Sequence, residues 1–288
     1  MKILIITNKI SNERSLTLKN ALNNALNHES TLIADNDNSL TVDYAKQFDC
    51  VISTLQNANT IILKSILDAE VPLVVGNDLL YNTNSSHLIL GMTTTGGSVI
   101  LKKEHQYLKP AADHFIFNSA SILSRMENIP VFYGSSLGDE SSSIKISTLC
   151  SSAVVLGANA NVKDGYADTV FFKKGGADAL GGTFKANCMW FGWLSTVGYT
   201  AAGLNLLNSI LYFINNKTKI LNGSVQSSEG NGLSRDVYFY QKPTMTAYKT
   251  RSDNLGQFSI ELPSGHEYVG ISFDEGDKNA VVNDKIII

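Results

Sequence analysis

Helical periodicity stops at Ile214 and does not return in the remaining residues up to Ile288. The chain beyond that point alternates with period two and is punctuated by turn residues, so its architecture has to change there. Asp236-Val237-Tyr238-Phe239-Tyr240, the stretch around Phe258 to Leu262 and the stretch Glu267 to Phe273 each alternate. Asp253-Asn254-Leu255-Gly256 and Leu262-Pro263-Ser264-Gly265 are turn signals between them, since Gly takes positive φ and Asp or Asn closes a turn with its own side chain. Val237, Phe239, Phe258, Ile260, Val269, Ile271 and Phe273 are expected to face one core. Residues 219–288 therefore read as a small all-β sandwich, and Asn215-Asn216-Lys217-Thr218 reads as the linker in front of it.

Residues 1–216 read differently, as an α/β domain with a sheet flanked by helices. The apolar strand Lys2 to Thr7 precedes Leu18, Ala21, Leu22, Ala25 and Leu26, which share one helical face. A strand is expected at 31–34 and another at 50–54, then a helix through Ile61, Ile62, Ser65, Ile66 and Ala69. The run Val71 to Gly76 is apolar throughout, as in a parallel strand buried on both faces. Beyond Gly96-Gly97-Ser98, strands are expected at 99–101, 115–117, 131–133, 144–146, 153–156, 169–172 and 184–193, before a helix over 200–214.

Composition narrows the function. Net charge is -3 with scattered acidic and basic residues, so no basic stripe offers itself to nucleic acid. Met1 to Thr7 is too short for the apolar region of a signal peptide. Ala201 to Ile214 is interrupted by Asn205, Asn208 and Ser209 and falls short of the ~20 apolar residues of a membrane span. A soluble chain with no membrane insertion is expected. Cys50, Cys150 and Cys188 are far apart and odd in number, which fits buried thiols in a reducing cytoplasm better than disulfides or zinc.

The chemical motifs are incomplete. Gly175-Gly176-Ala177-Asp178-Ala179-Leu180-Gly181-Gly182 lacks the Lys-Ser/Thr ending of a phosphate loop and reads as a wide turn. Asn8-Lys9-Ile10-Ser11 lacks the glycines of a dinucleotide site, and no cofactor is expected. Glu104, His105, Asp113 and His114 lack zinc-protease spacing, while Asp274, Glu275, Asp277 and Asp284 lack that of an EF-hand. Ser136 sits in a literal Gly134-Ser135-Ser136-Leu137-Gly138 frame, the pattern of a nucleophile elbow, but a polar run through Ser143 comes next instead of a helical pattern. Ser136 stays as an alternative nucleophile.

The order of elements over residues 1–215 resembles the class I glutamine amidotransferase-like fold. The ending carries the resemblance: Met189-Trp190-Phe191-Gly192-Trp193, then Ser195-Thr196-Val197-Gly198, then a helix with Leu204, Leu206, Leu207, Ile210 and Leu211. The resemblance implies a nucleophilic Cys on an elbow after the Val71 to Gly76 strand, but Gly76-Asn77-Asp78 stands there, and no His occurs between His114 and His266. The domain is expected to be a degenerate, flavodoxin-like or amidotransferase-like scaffold without enzymatic activity. Gly76, Asn77 and Asp78 are a candidate vestigial pocket; Asn77 and Asp78 also suit the simpler role of capping the next helix.

The terminal sandwich is similar to carboxypeptidase regulatory-like and transthyretin-like modules. Its ending through Asp274, Asn279-Ala280 and Asp284 resembles bacteriophage tail and virion proteins. That resemblance implies a non-catalytic virion component of tail or neck, assembled in the host cytoplasm as a symmetric homo-oligomer among other virion proteins, with the sandwich as attachment module. Two alternatives remain: a host-envelope hydrolase, and a glycan-binding adhesin stacking sugars on Trp190, Trp193, Tyr238 and Tyr240.

Overall fold

A computed structural model of the chain describes residues 1–54, 61–76, 86–95, 99–102, 107–111, 114–119, 128–133, 141–159, 165–194, 196, 198–227, 229–273 and 280–288. The chain forms two compact units: Met1–Ala112 with Asn128–Leu204, and Asp113–Glu127 with Asn205–Ile288. The division falls inside the helix Ala201–Ile214.

In the first unit the strands are, in chain order, β1 (Lys2–Thr7), β2 (Glu29–Ala34), β3 (Cys50–Ser53), β4 (Leu73–Val75), β5 (Val99–Lys102), β6 (Tyr107–Pro110), β7 (Ile129–Pro130), β8 (Ser141–Lys145), β9 (Ala153–Asn159), β10 (Tyr166–Ala167), β11 (Thr169–Phe172) and β12 (Cys188–Phe191). Nine of them make one mixed sheet in the order β2-β1-β3-β4-β12-β11-β9-β6-β7, and β10-β8-β5 make a small antiparallel sheet. The pairs from β2 to β12 are parallel, and β11 turns the sheet antiparallel. Ile3, Leu4, Ile5 and Ile6 are fully buried. That is why β1 carries an unbroken apolar run instead of alternation.

Helices are few and short, and their signals are local. Asn12 caps Glu13–Asn20, its side chain accepting from Arg14 N at 3.0 Å, with Glu13 in the first turn. The expected single helical face breaks at Ala21–Ala25, a π-helical turn in which Leu26 N bonds to Ala21 O. The inserted residue rotates Ala25 into solvent while Leu18 and Leu22 stay buried.

Several expected strands are displaced. Residues 115–117 form a 3-10 turn capped by His114. Residues 131–133 give way to the short β7, with Phe132 bridging Tyr199. The expected strand 144–146 starts earlier, at Ser141, and Ile146 already begins a 3-10 turn. Residues 184–193 contribute only Cys188–Phe191. The glycine-rich segment is a bonded turn: Asp178 Oδ1 accepts from Leu180 N at 2.9 Å and Gly182 N at 2.8 Å, and Gly175 and Gly181 have positive φ.

The second unit contains β13 (Thr218–Ser224), β14 (Asp236–Gln241), β15 (Thr246–Arg251), β16 (Gln257–Pro263), β17 (Glu267–Phe273) and β18 (Ala280–Ile287). They make a four-stranded antiparallel sheet, β15-β14-β17-β18, and a pair, β13-β16. Val225, Val237, Phe239, Tyr248, Ile260, Leu262 and Tyr268 form the core. The turn at Asp253 is built as its residues suggest, with Asp253 Oδ1 accepting from Leu255 N and Gln257 N and Gly256 at φ 77°.

One face assignment is reversed. On β17 the inward residues are Tyr268, Gly270 and Ser272, while Val269 and Ile271 are half-buried and Phe273 is 45% exposed. Phe239 pairs with Gly270, and a Cβ on Gly270 would come within 3.3 Å of the Phe239 ring. The missing side chain makes room for a large one. Because the period is two, that single match sends Val269, Ile271 and Phe273 outward.

Candidate functional site

The carboxyl ends of β1, β3, β4 and β12 converge on one edge of the parallel sheet, and the strand order reverses between β1 and β3. Such an edge is where open α/β sheets bind ligands. At the reversal, Thr7 Oγ1 and Ser15 Oγ lie 2.8 Å apart, and Ser15 Oγ lies 3.3 Å from Thr54 Oγ1. Thr54 Oγ1 also donates to Ile6 O. Thr7 and Ser15 are buried, so these hydroxyls tie the first turn of the helix Glu13–Asn20 to the ends of β1 and β3.

Further along the same edge, glycines set the spacing. Gly76 directly follows β4, and a Cβ there would overlap the carbonyl oxygen of Phe191. Its φ is not in the left-handed region, so Gly is needed for this contact and not for a strained elbow. Gly192 is packed as tightly: its N donates to Asp168 O at 2.8 Å, its O accepts from Ser142 N at 2.8 Å, and a Cβ would overlap Ser142 O. The aromatic-glycine strand of the sequence is therefore a close backbone crossing.

Beside Gly192 lies a strongly perturbed carboxyl group. Asp168 is fully buried; Ser143 Oγ donates to its Oδ1, and its Oδ2 has no partner among the described residues. Burial pushes its pKa up to about 8, against the smaller lowering effect of Ser143. Near neutral pH this carboxyl is mostly protonated and able to donate a hydrogen bond. Thr169 Oγ1 and Trp193 Nε1 are also buried without partners among the described residues, while Trp190 Nε1 donates to Ser142 O at 3.3 Å and its ring meets His87 edge-on.

Sequence reasoning missed both Asp168 and Ser143. Ser141-Ser142-Ser143 read as part of a polar loop, yet all three are buried in β8. The available signal was Asp168 interrupting the apolar run from Tyr166 to Phe172.

Of the sequence-derived candidates, Gly76 lies at this edge. Asn77, Asp78 and Ser136 lie outside the described residues, as do Glu104, His105, Asp113, Asp274, Glu275, Asp277 and Asn279. Trp190 and Trp193 are fully buried and cannot stack on a sugar. His266 accepts or donates with Tyr212 OH at 2.6 Å in the second unit. All three cysteines are free and buried, and burial drives the Cys188 thiol far above its ordinary range. A reactive thiol needs an accessible thiolate, so none of the three suits that task. Among the described residues no cluster of three metal-ligating side chains occurs, and no helix is long and apolar enough to cross a membrane.

No protein-family model matches the chain, and no curated protein matches it. Among solved structures, PurLQS from Thermotoga maritima aligns with 74% of this chain and 98% of its own, at 11% identity and a TM-score of 0.39.

Proposed function

We propose that this chain is a non-catalytic building block of a larger assembly, in which the C-terminal sandwich attaches and the α/β unit is scaffold. The observation that carries the reading is the outward face of the four-stranded sheet. Tyr238 and Tyr240 on β14 pair with Ile271 and Val269 on β17, and Phe273 continues the row. Tyr238 and Phe273 meet edge-on at 5.6 Å, and Lys249 Nζ lies 5.5 Å from the Tyr238 ring centre. Asp236 binds Lys249 and Arg251 at the end of this row. Half-exposed aromatics beside a charged rim are the composition of interface cores.

The buried cysteines support the non-catalytic half of the reading, and the parallel order β2-β1-β3-β4-β12 supports a degenerate, flavodoxin-like or amidotransferase-like scaffold. The resemblance of the chain's ending to virion proteins gives the assembly its identity: tail or neck of a phage particle, where subunits repeat around an axis. Purified particles of the source phage, imaged by electron cryo-microscopy, are expected to hold the chain at a repeating position. Particles that lack it overturn the virion reading.

A further inference from the structure

Between the pair β13-β16 and the strands β14, β17 and β18, the core of the second unit is incompletely filled. A cleft of about 150 Å³ lies there; Val225, Val237, Phe239, Phe258, Ile271 and Ile286 are its apolar lining, and the exposed Ser224 and Gln226 are at its polar side. The inner surface of β17 also lines it through Gly270 and Ser272. Phe239 and Phe258 meet at 5.7 Å with their rings tilted by 52°, and Gly270 adds no side chain.

Within this apolar lining sits one unanswered polar group. Ser272 is 7% exposed and lies on the inward side of β17 with Tyr268 and Gly270, so its side chain is directed at the cleft. Its Oγ has no hydrogen-bond partner among the described residues. Elsewhere in this core the polar ends are paired: Tyr248 OH donates to Gln241 Oε1 at 3.2 Å and Tyr268 OH to Pro263 O at 2.6 Å. A buried hydroxyl left alone beside a void is matched by a ligand that supplies one hydrogen bond.

Volume and lining set the rest of the ligand. The cleft is open to solvent on one side, and its volume of about 150 Å³ is the size that takes a single benzene ring. Two phenyl rings offer face and edge contacts to an aromatic guest. We infer that the cleft binds a single-ring phenol, with the ring packed against Phe239 and Phe258 and the hydroxyl on Ser272 Oγ. This site is independent of the outward face of the same sheet, and neither reading requires the other.

The test uses the full chain and two probes read by fluorine NMR, 4-fluorophenol and fluorobenzene. Wild-type protein is expected to bind both saturably, the phenol more tightly. Ser272→Ala is expected to weaken 4-fluorophenol roughly fivefold, the worth of one neutral hydrogen bond, and to leave fluorobenzene unchanged. Ser272→Thr keeps the hydroxyl and is expected to restore the preference. Should the variants fail to fold, the ratio of the two wild-type affinities still decides. Equal wild-type affinities overturn the assignment of Ser272, and absence of saturable binding by either probe overturns the site. Retained phenol preference in Ser272→Ala places the phenol elsewhere and also overturns it.

Discussion

The two units treat polar groups in their interiors in opposite ways. Among the described residues, Asn128 Oδ1, Asp168 Oδ2, Thr169 Oγ1 and Trp193 Nε1 are buried without partners in the first unit. In the second, the buried tyrosines Tyr248 and Tyr268 are both hydrogen-bonded, and Ser272 is the group left over. Each unmet group costs on the order of 1–3 kcal/mol when water cannot reach it. Stability of the second unit should therefore track pairing and packing, whereas stability of the first should also track protonation.

The largest expected effect breaks the first unit at its backbone crossing. In Gly192→Ala the new methyl group would collide with the Ser142 carbonyl. The obstacle is backbone on both sides, so no rotamer relieves it. We expect a loss above about 3 kcal/mol, or failure to fold. Trp190 and Trp193 are the only tryptophans and both belong to this unit, so urea unfolding monitored by tryptophan fluorescence reports it selectively. An unchanged midpoint would show that β12 and β8 can separate without cost.

Next comes the effect of pH. The folded pKa of Asp168 is raised to about 8 from an ordinary value of 3.8. Between those values the folded protein holds a proton that the unfolded chain has released. Stability from this group is therefore full below pH ~4, falls as pH rises towards ~8, and is flat above it. The total is on the order of a few kcal/mol. Asp168→Asn keeps an acceptor for Ser143 and cannot ionise. Urea midpoints at pH 5 and pH 8, read by tryptophan fluorescence, should differ less in this variant than in the wild type. Equal differences would assign the pH response to another group.

A smaller loss is expected on the paired side of the comparison. Tyr268→Phe removes the hydroxyl that donates to Pro263 O and leaves that buried carbonyl unanswered, at a cost of about 1–2 kcal/mol. A thermal melt by far-UV circular dichroism checks it. No shift would mean that water reaches Pro263 O and that the second core is less closed than its packing suggests.

These contrasts also explain which elements are legible in the sequence alone. β1, β3 and β4 are legible because strands buried on both faces must be apolar throughout, and few other elements produce Lys2 to Thr7 or Val71 to Gly76. β8 is not, because Ser141-Ser142-Ser143 has no apolar signature; its burial rests on backbone bonds to Gly192 and on Ser143 meeting Asp168. Those partners are remote in sequence, so no local window contains the reason. On β17 the alternation was visible but its sense was not. Val269, Ile271 and Phe273 outrank Tyr268, Gly270 and Ser272 in hydrophobicity, and the size of Phe239 across the strand decided otherwise. At the candidate site, Gly76 was found for its position in the fold while its physical role, contact with Phe191, depends on a strand far along the chain.

The smallest expected effect on stability tests the largest claim about function. Phe273 is 45% exposed and touches Tyr238 on the outward face of β14 and β17. Replacing it by Ser removes one edge contact between half-exposed rings, worth about 0.5–1 kcal/mol at most, and opens no cavity in the core. Phe273→Ser should therefore melt within a few degrees of the wild type. If the face is the attachment surface, loss of this ring should nonetheless reduce incorporation into particles severalfold, because a few aromatic side chains carry most of an interface's energy. The paired control is Ile220→Ser on β13, where Ile220 is 67% exposed and lies away from that face. Incorporation measured by quantitative mass spectrometry should fall for Phe273→Ser and hold for Ile220→Ser. The reverse pattern would move the attachment surface to β13, and two unaffected variants would remove the sandwich from the contact altogether.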